Sequence, residues 1–235
     1  MSKPVITAFS WVPPPAQGQV RDLRVRWALE EVGQAYDVRF LDSGENKQPP
    51  HRARQPFGQV PTYEQGDLTL FESGAIVLHI AEKYGTLLPT DPAARARAIE
   101  WMFAALNSVE PMIMDLSFVT FFEADKPWSA MRRPAVEDRI HGRLTDLSAR
   151  LGDRQWLDGD AFTAGDLLMV SVLRIVIGQG LVETYDNLAA YMHRGIERPA
   201  FQRALADQMA GFTGEAPDWF ADWAEKMKHA QGETA

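Results

Sequence analysis

Cysteine is absent from all 235 residues of the sequence. Its absence excludes disulfide bonds, a thiolate nucleophile of the protein's own and cysteine-ligated metals. Chemistry on a thiol therefore needs a thiol that a ligand brings in. We expect no bound metal.

Basic residues are also few, since 24 Lys and Arg stand against 32 Asp and Glu, for a formal net charge of -8. General nucleic-acid binders usually present a basic face, so we expect no nucleic-acid partner. A local basic pocket for a small anion remains compatible with this balance.

Long apolar runs are missing as well. None approaches the roughly 20 residues that span a bilayer, and the first residues, MSKPVITAFSW, lack the apolar core of a secretory signal. We therefore expect no membrane partner and a cytoplasmic location. The hydrophobic fraction of 46% is ordinary for a globular protein.

The first 84 residues have the pattern of a small mixed sheet with helices, in the order β-α-β-loop-β-β-α. A turn at Gln65-Gly66-Asp67 joins the last two strands into a hairpin, and a proline-rich loop, 11–20, follows the first strand. The predicted strands are Val5–Phe9, Tyr36–Leu41, Val60–Tyr63 and Leu68–Phe71, and the predicted helices run from about Leu23 to Gly33 and from Ser73 to Tyr84.

After a linker at 85–92, the remaining residues, 93–235, have only helical patterns. We expect Trp219, Phe220 and Trp223, in an otherwise polar tail, to dock on this helical domain. The predicted helical segments are Ala93–Leu116, Pro134–Leu151, Phe162–Ile177, Leu188–Ile196 and Pro199–Met209.

Pro61 stands at the start of a predicted strand, where the loss of one N–H is tolerated. If the Val60–Pro61 bond is cis, the main chain of Val60 is turned out of the sheet and can pair with an extended peptide. Ser73 and the first N–H groups of the next helix form an anion site, and Glu72 can accept from an ammonium. Together these groups suit a small zwitterionic peptide, although the Glu72–Ser73 pair alone could simply cap the helix.

These motifs resemble those of the cytosolic glutathione S-transferases, and we assign a bacterial type without a class. The resemblance implies an α/β thioredoxin-like N-terminal domain, 1–84, and an all-α C-terminal domain, 93–235, which is the glutathione S-transferase fold. The residues that carry it are Pro56-Phe57-Gly58-Gln59-Val60-Pro61, Leu70-Phe71-Glu72-Ser73-Gly74-Ala75-Ile76, Arg24–Gly33, Gly44–Pro49 and the capping box Phe162-Thr163-Ala164-Gly165-Asp166.

The resemblance implies that the chain binds glutathione. Ser73 would meet the γ-glutamyl carboxylate beside Glu72, and the Val60 main chain would meet the cysteinyl unit. Gln59 would add a polar contact. Asn46 and Lys47 fall where several classes of the family hold the glycine carboxylate, although Lys47 could simply be an exposed loop lysine; His51 and Arg52 are weaker candidates.

The group that activates the thiol is the least determined part of the site. Ser10, directly after the first strand, is our first candidate for a catalytic hydroxyl. Counting back from Arg24, however, the position where many members keep a serine holds Gln19. Trp11, Gln19 and main-chain N–H groups of the long loop therefore remain alternatives. Arg21 and Arg24 begin a helix, where its dipole disfavours positive charge; they are either near an anion or, as is commoner, simply exposed arginines.

The resemblance further implies a second-substrate pocket between the domains and a homodimer. We expect Trp11, Phe118, Phe121 and Phe122 to line that pocket. The predicted function is a glutathione transferase that activates the thiol as a thiolate for attack on a small apolar electrophile. Glutathione-dependent disulfide reduction, a peroxidase activity and a non-enzymatic binding or regulatory module of the same fold remain alternatives.

Overall fold

The computed structural model describes residues 2–230, with the side chains of residues 2–227. Its sheet has four strands: β1 (Val5–Phe9), β2 (Asp37–Leu41), β3 (Thr62–Gln65) and β4 (Leu68–Phe71). Their order is β2-β1-β3-β4, with β1 parallel to β2 and antiparallel to β3, and β3 antiparallel to β4. This is the mixed sheet that the sequence predicts.

The helices of the N-terminal domain are α1 (Asp22–Glu31), the short α2 (Pro49–Arg52) and α3 (Ser73–Tyr84). The bounds of α3 match the prediction, and Gly85 ends the helix with φ of +70°, a left-handed conformation that favours glycine. The hairpin strand β3 begins at Thr62, whereas we predicted Val60; Pro61 has no N–H to pair in the sheet.

The C-terminal domain is helical throughout. Its helices are α4 (Pro92–Phe103), α5 (Glu110–Ser117), α6 (Ser129–Leu151), α7 (Ala164–Leu173), α8 (Asp186–Ile196), α9 (Pro199–Ala210) and α10 (Trp219–Ala230). Helix α6 begins five residues before Pro134, where we predicted its start. The earlier turn is held because the hydroxyl of Ser129 donates to the carbonyl of Val119 and Arg132 pairs with Glu123.

Helices α4 and α5 belong to one continuous helical run, Pro92–Phe122, which includes π-helical turns at Ala104–Val109 and Phe118–Phe122. This run is long and apolar enough to span a membrane by length and composition, a test that core helices also pass. Met102, Ile113 and Leu116 on it are buried in the helical core. Single π-helical turns are frequent at functional sites because they widen the helix and redirect side chains.

Helix α1 joins the two domains. Trp27 on α1 is fully buried, and its ring lies 4.9 Å from Phe201 and 5.6 Å from Phe162 of the helical domain. The capping box that begins α7 is formed as predicted, with Thr163 and Asp166 bonded reciprocally. The interface places the start of α1 between the sheet and helix α5.

Candidate functional site

A polar cavity of about 300 Å³ lies between the end of the hairpin, the start of α1 and helix α5. We call it the polar cavity. Four of the predicted binding groups meet there, namely Gln59, Val60, Glu72 and Ser73. Its other lining residues are Arg21, Arg24, Gln55, Pro61, Leu106, Asn107, Glu110, Pro111 and Met114.

Val60 precedes a cis peptide bond to Pro61, so the condition under which its main chain turns out of the sheet is met. Neither the N–H nor the C=O of Val60 has a hydrogen-bond partner within residues 2–230. The loop before it is held firmly, because the Gln55 side chain accepts from the Gln59 N–H at 3.2 Å and the His51 ring bonds the Gln59 carbonyl at 2.7 Å. The structure therefore presents one unpaired residue of main chain at the wall of the polar cavity.

Glu72 and Ser73 stand where β4 passes into α3. Glu72 has φ of +68° and ψ of 114°, a conformation that is unfavourable for a residue with a long side chain. The N–H groups of Ser73, Gly74 and Ala75 have no main-chain acceptor in the part of the chain described. Such a helix start favours a negatively charged ligand group.

Asn46 and Lys47 approach the other side of the Gln59 loop. The Asn46 amide donates to the Gly58 carbonyl at 2.7 Å, and the Lys47 ammonium lies 3.0 Å from the same oxygen. Gly58 has φ of +64°, and a Cβ added there would lie 2.6 Å from the Asn46 carbonyl. Of the two weaker candidates, His51 is buried behind the loop, whereas Arg52 is exposed and lines neither cavity of the site.

A buried carboxylate from the helical domain completes the polar cavity. Two of the three guanidinium nitrogens of Arg21, Nε and Nη2, donate to Glu110 at 2.9 and 2.8 Å. Arg24 donates to Glu110 through Nη1 at 3.1 Å and Nη2 at 2.9 Å, and its Nη1 also lies 3.3 Å from the Ser73 hydroxyl. Because that hydroxyl accepts from Arg24, its own proton is free for a ligand oxygen.

This cluster keeps its charges in spite of burial. Burial alone would raise the pKa of Glu110, but Arg24 and Arg21 outweigh it, and the pKa lies below the ordinary value. Burial lowers the pKa of Arg24, with Glu110 opposing that change. Glu110 is thus ionised at neutral pH and fixes both arginines in place.

A second, mostly apolar cavity of about 410 Å³ adjoins the first, and we call it the apolar cavity. The two share the wall formed by Arg21, Arg24, Gln59, Val60, Glu110 and Met114. The remaining lining residues are Phe9, Pro13, Pro15, Ala16, Gln19, Val20, Asn46, Lys47, Gly58, Ser117, Phe121, Phe122, Ile175 and Trp223. The shared wall is therefore where a group bound in the polar cavity meets an apolar molecule.

The structure brings some of the predicted pocket residues to this cavity and leaves others out. Phe121 and Phe122, on the second π-helical turn, line it, but Phe118 does not; its ring instead lies 5.3 Å from that of Phe122, and it is 45% exposed. Trp11 lines neither cavity, because its ring packs 4.9 Å from Phe220. We predicted that Trp219, Phe220 and Trp223 dock on the helical domain; Trp219 and Phe220 instead pack against Trp11 in the proline-rich loop, whereas Trp223 lines the apolar cavity together with residues of both domains.

Ser10 is likewise outside both cavities. Its hydroxyl donates to the Asp42 carboxylate at 2.6 Å, and its carbonyl accepts from the Gly214 N–H at 2.9 Å. A hydroxyl held in this way is not placed to donate to a bound thiol. The structure thus gives Ser10 no contact with the site in which we predicted it to act.

The proline-rich loop reaches the site at its far end, near the start of α1. Gln19 lines the apolar cavity, and its side chain donates to the Arg174 carbonyl at 3.3 Å. Arg174 in turn donates to the Gly18 carbonyl at 3.1 Å and lies over the Phe201 ring; burial lowers its pKa to about 10. The N–H groups of Val20 and Arg21 have no main-chain acceptor among the residues described.

Sequence reasoning missed Glu110, which nothing in its local pattern sets apart from a surface acid on a helix. For Arg21 and Arg24 a signal was present, since positive charge at a helix start is unfavourable without an anion. That anion is the carboxylate of Glu110.

Taken together, the site offers hydrogen-bond donors for an anion, an acidic side chain and an unpaired residue of main chain, all beside an apolar cavity. Such groups suit a small zwitterionic peptide whose reactive atom reaches the shared wall. No group of three or more potential metal-ligating side chains occurs within residues 2–230.

The fold and this site define the class, and comparison with known proteins agrees. Residues 5–82 match the family "Glutathione S-transferase, N-terminal domain", and residues 109–199 match "Glutathione S-transferase, C-terminal domain". The chain belongs to the glutathione S-transferase family.

Individual relatives agree with this assignment. Over 177 residues the chain is 31% identical to a glutathione S-transferase of Hyoscyamus muticus and 33% identical to glutathione S-transferase F11 of Arabidopsis thaliana; each match covers 70% of this chain and 82% of the relative. A Burkholderia graminis glutathione transferase, solved with two glutathione molecules bound per subunit, superposes with a TM-score of 0.76 at 26% identity, covering 86% of this chain and 87% of that one. Plant and bacterial members both appear, so the bacterial type stays a prediction.

Proposed function

We propose that this chain is a glutathione transferase, which holds the γ-glutamyl and cysteinyl units of glutathione in the polar cavity, with the glycine end toward Lys47, and attacks an apolar electrophile in the apolar cavity. The observation that carries the proposal is the shared wall. It joins the unpaired main chain of Val60, beside Ser73, to a mostly apolar space bounded by Phe121 and Phe122. The family membership supports glutathione as the peptide.

In the proposed complex the γ-glutamyl end lies at the start of α3. Its carboxylate accepts from the Ser73 hydroxyl and the free N–H groups of that helix, and its ammonium donates to Glu72. The cysteinyl unit pairs with both main-chain groups of Val60, as an added strand would. Gln59 adds a polar contact next to it.

The glycine end of glutathione lies toward Lys47 in this proposal. The Lys47 ammonium is held by the Gly58 carbonyl at 3.0 Å and lines the apolar cavity, so a carboxylate can reach its remaining protons. The Asn46 amide is already donated to Gly58, and it therefore positions the loop as well as contributing to this end of the site.

The thiolate is stabilised in this proposal by the beginning of α1. Val20 and Arg21 line the apolar cavity at or next to the shared wall. They supply two main-chain N–H groups and the guanidinium of Arg21. Hydrogen bonds and positive charge favour the ionised form of a thiol and lower its pKa. The thiol proton passes to water, the sulfur forms a bond to the electrophilic carbon, and the leaving group departs with its electron pair.

A homodimer is part of the proposal. Phe57 is 61% exposed and lies edge to face with Phe71 at 6.2 Å, and Phe103 on α4 is also more than half exposed. Exposed aromatic side chains of this kind are enriched at the centres of protein interfaces. A second copy of the chain, meeting these side chains across a twofold axis, would cover them.

The proposal is tested by calorimetric titration with glutathione and by turnover of 1-chloro-2,4-dinitrobenzene. We expect binding and conjugate formation, and Ser73→Ala should weaken binding about tenfold, because a hydrogen bond to a charged group is lost. Ser43→Ala, which removes an exposed hydroxyl outside both cavities, is the matched control.

Other outcomes separate the alternatives. Turnover of a dialkyl disulfide or a hydroperoxide without conjugation would identify the reductase or the peroxidase. Binding of glutathione with none of these activities would identify a binding module. No binding at millimolar glutathione would contradict the proposed site.

A further inference from the structure

Helix α10 contributes one side chain to the apolar cavity, that of Trp223. The Trp223 ring stacks on Phe220, with centroids 5.7 Å apart and planes at 26°. Among the described lining residues, Trp223 is the only one that comes from beyond residue 175. The tail of the chain thus forms part of the wall of a cavity that is otherwise built by the two domains.

The contact that holds α10 in place comes from the proline-rich loop. Trp11 meets Phe220 edge to face at 4.9 Å and Trp219 edge to face at 6.0 Å. Aromatic pairs in this geometry stabilise a contact beyond the area that they bury. Loop 11–20 and the tail, which lie far apart in sequence, thus form one aromatic cluster beside the cavity.

The segment that leads into α10 is fixed against the ends of two strands. The Gly214 N–H donates to the Ser10 carbonyl at 2.9 Å, and a Cβ added at Gly214 would lie 2.6 Å from the Ser10 hydroxyl oxygen. At Gly211 an added Cβ would lie 2.7 Å from the Phe40 ring. Only glycine lets the tail pass this closely, so Ser10 anchors the segment that carries Trp223.

We propose that Trp223 is a specificity-determining residue that limits how long an apolar group the second cavity accepts. Trp11 acts as its positioning residue, because it holds α10 through Phe220. The inference rests on the proposed function, since it takes the apolar cavity to be the site of the group that becomes attached to sulfur. It names the substrate class more closely, as compact apolar electrophiles.

The test is calorimetric titration with a series of S-alkylglutathiones, from S-methyl to S-decyl. In the wild-type protein, affinity should rise about fourfold for each methylene buried, and it should level off when the chain reaches Trp223. In Trp223→Ala the short members should bind as in the wild type, while the rise should continue to longer chains. Trp128→Ala is the matched control, because Trp128 is half exposed and lines neither cavity.

Gly214→Val is a second variant, which changes no lining residue and forces the tail away from Ser10. It should move the chain-length limit in the same direction as Trp223→Ala. An identical limit in the wild type and both variants would overturn the inference. Failure of the wild type to bind even S-methylglutathione would contradict the proposed function instead, so the two failures are distinguishable.

Discussion

Replacing Glu110 by glutamine tests whether the helical domain controls the glutathione site. The substitution keeps the size of the side chain and one acceptor oxygen but removes the charge. In the wild type, Glu110 accepts four hydrogen bonds from Arg21 and Arg24, and Arg24 also donates to Ser73. The glutamine thus leaves a buried arginine without its counter-charge.

The size of the effect follows from that burial. Breaking a buried ion pair by changing one partner costs about 3–5 kcal/mol, and the retained acceptor places this variant near 3 kcal/mol. For a chain of this length such a loss lowers Tm by about 6–12 °C. Loosening Arg24 also frees the Ser73 hydroxyl to turn from its ligand, and glutathione affinity should fall roughly tenfold.

The pH dependence adds a readout that a simple packing defect lacks. Because the folded-state pKa of Glu110 lies below its ordinary value of 4.5, the stabilisation is present above that value and is lost as the pH falls through the folded-state pKa. The Tm difference between wild type and Glu110→Gln should therefore be full at pH 7 and shrink below about pH 4.5.

Thermal unfolding across pH and calorimetric titration with S-methylglutathione measure these effects. Glu100→Gln, an exposed acid on α4, is the matched control and should change neither quantity. A double variant with Ser73→Ala sharpens the result, because the affinity losses should be less than additive if Glu110 acts through Ser73. Additive losses, or an unchanged Tm and affinity in Glu110→Gln, would refute the reasoning.

Three further perturbations follow from the same geometry. Arg21→Met should raise the pKa of bound glutathione by about one unit, read from thiolate absorbance against pH, because positive charge is lost beside the sulfur, whereas exposed Arg52→Met should leave it unchanged. Asp166→Ala leaves buried partners in the capping box unpaired, so we expect a loss of about 3 kcal/mol and unaltered glutathione affinity in the folded protein; a Tm within 2 °C of wild type would contradict this. Phe57→Ala should shift the protein from dimer to monomer in light scattering, and a wild-type monomer would show that this surface has no second copy on it.

Much of the fold could be predicted from the sequence, because local signals there agree with one another. The bounds of β1, β4 and α3 match the predictions, since apolar patterns end at clear turn residues such as Gly66 and Gly85. The bond before Pro61 is cis, which is the condition on which the predicted peptide-binding main chain of Val60 depended. At α6 the predicted start was wrong. The helix begins before Pro134, at Ser129, because other contacts hold its first turn.

The site was predictable where its residues are neighbours in sequence and not where they are distant. Val60, Glu72 and Ser73 lie within one hairpin and one helix start, so their meeting follows from local structure. Glu110 comes from the other domain, and its place depends on packing that no local pattern encodes. Ser10 shows the same limit, since its hydroxyl is bonded to Asp42 and its carbonyl to Gly214, and both partners are distant in sequence.

A crystal structure of the protein with glutathione measures the central claim most directly. The account predicts the γ-glutamyl carboxylate within hydrogen-bond distance of the Ser73 hydroxyl, the cysteinyl unit paired with the Val60 main chain, and the sulfur at the wall that the two cavities share. Glutathione bound elsewhere, or a polar cavity without it at saturating concentration, would contradict the account.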